Sequence, residues 1–137
     1  MLNDLHALIR YFVVLKYIDD MQRLKAIRCY FEGFNYRRCA ERYMMSPTTL
    51  KNIVRRLPID RSRPGYIRLT LAIIDAALRL VPTRVDNFVG VRICRLCRHV
   101  GRNDVGAWIV HFENKHHDVL AYDIHRVTEY LRARRYI

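Results

Sequence analysis

The sequence predicts a mainly α fold, in which a helical domain is followed by a small ββα module and a C-terminal helix. Three observations carry that prediction. Apolar residues recur every three or four positions along most of the 137-residue chain. Ser46-Pro47 supplies a helix start directly after another helical segment. Cys94 and Cys97 precede His111 and the His116-His117 pair at a spacing that suits a hairpin facing a helix.

Segment 3–17 sets Leu5, Leu8, Ile9, Phe12, Val13 and Lys16 at helical spacing, and 20–32 does the same with Met21, Leu24, Ile27, Tyr30 and Phe31. Both read as core helices. A shorter helix over 36–44 is followed by one that Ser46 caps, Pro47 opens and Pro58 stops after Leu57. The stretch 58–65, PIDRSRPG, reads as a linker, because two prolines, a glycine and three charges bury little. Helix 66–81 is apolar nearly all round, through Ile67, Leu69, Leu71, Ile73, Ile74, Ala77, Leu78, Leu80 and Val81. That fits either a central core helix or a dimer interface. A short hairpin is expected over 88–100, then a helix capped by Asn103 or Asp104 and running through His116. A last helix over 119–135 carries the stripe Leu120, Ile124, Val127 and Leu131. Three segments result: 1–60 is a helical domain, 61–87 a core or dimerisation helix with its linker, and 88–137 the ββα module with the C-terminal helix.

Lys and Arg total 25 against 13 acids, a net charge of +12, and 21 of the 25 are arginine. Arginine presents a planar fork that donates two parallel hydrogen bonds to phosphate, so the expected partner is a polyanion, with nucleic acid ahead of acidic protein. No apolar run approaches the roughly 18 to 20 residues of a membrane span, and Arg68, Asp75 and Arg79 interrupt 66–81. The first six residues, MLNDLH, lack a basic n-region, and the apolar stretch 11–15 falls short of the roughly 7 residues of a signal h-region. Neither a membrane nor secretion is expected. Cys94 and Cys97 have metal spacing, while Cys29 and Cys39 lie on apolar helix faces, which points to a reducing, intracellular compartment. That means cytoplasm or nucleoid, or a virion for a packaging protein.

Segment 36–57, YRRCAERYMMSPTTLKNIVRRL, has the layout of a DNA-reading helix-turn-helix, with small Ala40 where two helices cross over a tight turn. Cys39, Tyr43, Met45, Leu50 and Ile53 supply the apolar seam. Thr48, Lys51, Asn52 and Arg55 then project from the second helix, with Arg56 beside them. Asn pairs two hydrogen bonds with adenine and Arg with guanine, while Ser46, Thr48 and Thr49 at the positive helix start suit phosphate. Over about 32 residues the chain resembles the N-terminal helix-turn-helix of insertion-sequence transposases and related resolvase-type DNA-binding domains. The likeness rests on the aromatic-x-Gly step at 30–33, the Arg37-x-x-Ala40-Glu41 pattern and the Ser46-Pro47-Thr48-Thr49-Leu50 opening. The resemblance implies DNA binding. Many members carry glycine where this chain has Met44, so a remodelled or slightly longer turn is expected.

From Cys94 the chain reads Cys-x2-Cys-x13-His-x4-His-His. Tetrahedral zinc takes four N or S ligands, and two thiolates on a hairpin facing two imidazoles on a helix satisfy it. About 24 residues here resemble a C2H2 zinc finger, with Cys94, Cys97, His111 and His116 as the ligands of Zn2+. His117 in place of His116 needs a larger distortion of the last helical turn, and His99 is not expected to ligate. The gap is one residue longer than the common form, Trp108 stands where a core leucine is usual, and Val100 or Val105 must complete the small core. Four protein ligands close the site, and no His-Glu-x-x-His pattern supplies a general base, so its expected role is structural. Positions that usually face bases fall on Asp104, Ala107 and Val110, which suit stability or protein contact better than base reading. Arg92, Arg95, Arg98 and Arg102 are placed to hold backbone phosphate.

These features together predict a non-enzyme without a small-molecule substrate: a sequence-specific binder of double-stranded DNA held together by zinc. One short reading helix covers only a few base pairs, so a homodimer acting as transcription regulator is expected. The pairing resembles small DNA-binding regulators of viruses and mobile elements. Two alternatives are an architectural or packaging protein such as a viral nucleoprotein, and a non-catalytic, transposase-related binder of DNA ends.

Overall fold

The computed structural model describes residues 2–137. These form seven helices and three short strands: α1 Leu2–Tyr17, α2 Met21–Phe31, α3 Tyr36–Arg42, α4 Pro47–Arg56, α5 Tyr66–Leu80, β1 Val85–Phe88, β2 Val91–Cys94, β3 Val100–Gly101, α6 Val105–Lys115 and α7 His117–Ala133. Local signals set most of the boundaries. Asp20, Asn35, Ser46 and Asp104 each accept a hydrogen bond from the backbone N–H three residues on, satisfying a donor that the helix start leaves free. The C-termini of α1, α2, α3 and α7 close in one way. A residue with positive φ donates to the carbonyl three back, and its successor donates to the carbonyl five back, as with Met44 to Glu41 and Met45 to Ala40. Gly33 fills that position after α2, but Asp19, Met44 and Arg135 fill it elsewhere. The turn between α3 and α4 is therefore neither remodelled nor lengthened for want of glycine. Met44 takes φ 59° with its side chain in solvent, and the Gln22 amide donates to the carbonyls of Tyr43 and Met44.

The core is organised around α1, which packs against α2, α5, α6 and α7. Phe12, Val13, Val14, Leu15 and Tyr17 are fully buried there. Helix α5 takes the core alternative of the two read from its sequence: Leu69, Ala72, Ile73, Ile74, Ala76 and Ala77 are buried against α1, α2 and α7. The stripe Leu120, Ile124, Val127 and Leu131 of α7 is buried as expected. Buried side chains from residues 1–60, 61–87 and 88–137 belong to one hydrophobic cluster. The seam between α3 and α4 buries Cys39, Ala40, Leu50 and Val54, whereas Tyr43, Met45 and Ile53 are only partly covered.

Two expectations are corrected. The hairpin placed over 88–100 starts earlier and gains a strand, because Val89-Gly90, with Gly90 at φ 76°, turns the chain before the first metal-type cysteine. The result is an antiparallel sheet in the order β1-β2-β3, with Val85 opposite Cys94, Phe88 opposite Val91 and Ile93 opposite Val100. Cys29 and Cys39 are joined in a disulfide, since the turn at Gly33 folds α3 back on α2 and brings their Cα atoms to 5.7 Å. The reading that all four cysteines are reduced, and with it the argument for a reducing compartment, therefore loses its basis.

Candidate metal centre and nucleic-acid face

Strand β2 ends at Cys94, and the chain turns so that the Arg98 N–H donates to the Cys94 carbonyl and the Cys94 N–H to the His99 carbonyl, at 2.9 and 2.8 Å. The turn places Arg98 at φ 65° and presents both cysteines to one side. His111 lies on α6, and His116 is the residue where α6 stops and α7 starts, with φ −135° and ψ 43°. Cys94 Sγ is 3.5 Å from His116 Nε2, Cys97 Sγ is 3.5 Å from His111 Nε2, and the four ligand atoms all lie within 4.8 Å of one another. A tetrahedral ion with bonds of ~2.3 Å to sulfur and ~2.0 Å to nitrogen sets adjacent S and N atoms about 3.5 Å apart. The cluster fits such an ion. His116, not His117, completes it; His117, the first residue of α7, is exposed.

The surroundings prepare the donors. Burial first, then the positive charge potential of His99, His116 and Lys115, holds the His111 imidazolium unfavourable and pushes its pKa down to about 4. The neutral imidazole is the form that ligates. Burial pushes the Cys94 thiol up, so this sulfur would give up its proton to a bound ion rather than rest as thiolate. His99 stacks on His111 with ring centres 4.5 Å apart, which makes it a wall of the site and not a ligand. Val105, Trp108 and Phe112 form the small core behind it, while Val100 is exposed. The indole N–H of Trp108 donates to the Arg102 carbonyl at 2.8 Å, and a Cβ on Gly101 would come within 3.0 Å of the indole ring.

Sequence reading missed the polar network behind the cluster. Asp123, 1% exposed, accepts at one oxygen from the Tyr17 hydroxyl and from Arg84 Nη2 at 3.0 Å. The Arg84 backbone in turn donates to the Tyr17 carbonyl and accepts from Arg95, tying the entry of β1 to α1. A signal was present: Asp123 directly precedes Ile124 and follows Leu120 by three, an acid on an otherwise apolar face.

On α4, all seven residues singled out, Ser46, Thr48, Thr49, Lys51, Asn52, Arg55 and Arg56, are exposed. Ser46 Oγ accepts from the Thr49 N–H at 3.0 Å and meets the Thr49 hydroxyl at 2.7 Å, so these two are engaged in the cap. Thr49, Asn52 and Arg56 line a groove of ≈ 510 Å³ whose other walls include Arg23 and the start of α6 at Val105 and Gly106. Arg95 is held by Asp86 at 2.7 Å and by the Thr83 carbonyl, whereas Arg98 is exposed in the cysteine turn. No protein-family model matches the chain, and neither a curated protein nor a solved structure matches it. Residue chemistry and geometry must therefore carry the functional argument. No helix among the described residues is long and apolar enough to cross a membrane.

Proposed function

We propose that this chain is a zinc-stabilised, sequence-specific binder of double-stranded DNA, with no catalytic role. The observation that carries the reading is α4: one face buries Leu50 and Val54 against α3, and the rest exposes Thr48, Lys51, Asn52, Arg55 and Arg56. Two helices over a four-residue turn, the second capped and basic, supply what a helix-turn-helix needs to enter the major groove. Arg and Asn there match the donor and acceptor pairs of guanine and adenine. Net charge +12 supplies phosphate affinity.

Zn2+ is the ion proposed for Cys94, Cys97, His111 and His116, because two thiolates and two imidazoles at tetrahedral spacing suit it best. With four protein donors it holds the sheet to α6 and leaves no position for a reacting water. The following ββα arrangement of β2, β3 and α6 is read as a finger-like support for α4, not a second reader.

The test is selection of bound duplexes from a random pool by zinc-loaded protein at about 0.15 M salt, where purely electrostatic binding is already weak. Enrichment of one sequence is expected, and inverted half-sites about one helical turn apart would add a homodimer acting as regulator. Tight binding without enrichment transfers the protein to DNA packaging. Retention of no DNA ends the reading.

A further inference from the structure

The β1–β2 hairpin leaves an apolar surface that neither the core nor the metal centre uses. Directly opposed residues of an antiparallel pair share a face, so Phe88 with Val91 and Ile93 with Val100 line one side of the sheet, together with Asp86 opposite Ile93, whose carboxylate is paired with Arg95. Phe88 is 59% exposed and Val89, at the tip, 103%. The opposite side is anchored: Asn87 and Arg92 both donate to the Ile18 carbonyl, and Cys94 is buried in the metal cluster. Gly90, at φ 76°, closes the turn in two residues and keeps the tip narrow. A narrow tip that exposes Phe88 and Val89 side by side is an apolar projection free for an occupant.

Charge and area choose among occupants. Of the five arginines of residues 84–102 (84, 92, 95, 98 and 102), Arg84 is paired with Asp123 and Arg95 with Asp86, so Arg92, Arg98 and Arg102 carry the positive excess. A patch of four or five side chains falls well short of the ~800 Å² per partner of a stable protein interface, which argues against a second copy at this face. A polyanion with apolar interior surface fits both features, and stacked bases behind phosphates are that surface. The hairpin also starts from the same corner as the α4 face. Ile18 anchors it, Gln22 one turn on holds the α3–α4 connection, and Arg23 lines the groove beside Asn52. The tip extends two residues, ~7 Å, past that anchor.

We infer that Phe88 and Val89 form an apolar wedge that enters the minor groove beside the α4 site, unstacks a base step and bends the duplex. This rests on the DNA-binding reading above and adds a second element to it. Phe and aliphatic side chains at a protruding tip do this at low cost where the step is flexible, as at TA.

The probe is a duplex of alternating A and T with 2-aminopurine at one adenine position, whose fluorescence rises on unstacking. The Phe88→Ala/Val89→Ser double variant, matched to the parent in zinc content and melting temperature, is compared with Arg55→Ala. The wedge predicts binding about tenfold weaker or more for the double variant and loss of the fluorescence rise per bound complex. Arg55→Ala should weaken binding and keep that rise. Unchanged affinity and fluorescence in the double variant overturn the wedge with the DNA reading intact. Weaker binding with the rise retained overturns insertion in favour of surface contact. A parent protein that sediments as a dimer, reduced to monomer by the double variant with fluorescence unaltered, gives the face to a second copy and also overturns it. If the parent binds neither this duplex nor any duplex of the random pool, the DNA reading itself fails; binding to other duplexes but not to this one overturns a wedge at flexible A–T steps.

Discussion

Asp123 is the residue on which the region behind the metal centre depends. Its carboxylate is buried with one oxygen shared by Tyr17 and Arg84, and the other has no partner among the described residues. Asp123→Ala leaves a hydroxyl and a guanidinium unpaired and should cost about 3–5 kcal/mol. Tyr17→Phe removes only one donor and should cost about 1 kcal/mol. Urea denaturation of the two variants checks the order, and a larger loss for Tyr17→Phe would contradict it. The same pair governs behaviour in alkali. Burial first, then the hydrogen bond and charge of Asp123, raise the Tyr17 pKa far above its ordinary value, and burial with the Tyr30 hydrogen bond pushes Tyr36 up to about 12. The folded chain holds protons that the unfolded chain releases near pH ~10, so this stability is complete below pH ~10. It is lost as pH rises from there toward 12 and beyond. Urea midpoints measured across that window should fall, and fall less steeply in Tyr17→Phe.

At the scale of elements, the disulfide fixes how α3 lies on α2, and so where α4 is presented. It closes a loop with a sequence separation of 10, for which chain entropy gives about 2–3 kcal/mol. The Cys29→Ala/Cys39→Ala variant should lose that much in denaturant titration, and mild reduction of the parent should reproduce it. Neither would respond if the thiols are free. The helices were legible because their signals are local: Asp20, Ser46 and Asp104 cap, Gly33 and Pro58 stop. The four Cys and His residues that could hold a metal were legible because spacing alone restricts them. Strand β1 was not, since Val-Asp-Asn-Phe alternates weakly and its pairing depends on a turn that the cysteine pattern overshadowed. The disulfide was hidden for a related reason. A cysteine on an apolar helix face looks the same reduced or paired, and only the crossing of α2 and α3 brings the two together. Met44 and Arg98 show the limit of residue preference: hydrogen bonds on both sides hold them at positive φ where glycine would be the easier choice.

For the whole molecule, one core joins the candidate metal centre to α1 through Tyr17, whose ring centre lies 4.6 Å from that of Phe112. Metal bound only by the folded state stabilises all of it, by about 4 kcal/mol when free metal exceeds Kd a thousandfold. Chelation should therefore lower the urea midpoint seen by Trp108 fluorescence and by far-ultraviolet dichroism together. Loss of the tryptophan signal alone, with the helices unmoved, would show a separately melting C-terminal half.

His116 gives the metal a mechanical part to play. From Phe112 to Leu120 there is neither glycine nor proline, yet the chain bends where His116 leaves helical geometry. The bend is an elbow whose own imidazole is one of the four groups of the cluster, so a bound ion would brace it. Untied, residues 105–133 would be held folded over only by the packing of Phe112, Leu120 and Val127 in the core, and a straight rod would set Ala107 and Tyr122, both exposed, about 22 Å apart. Spin labels at those two positions should lengthen toward that distance when the ion is chelated without denaturant, and an unaltered distance would show that the elbow is set by packing alone. With the brace in place, occupancy of a small inorganic site is expressed as the angle between two helices.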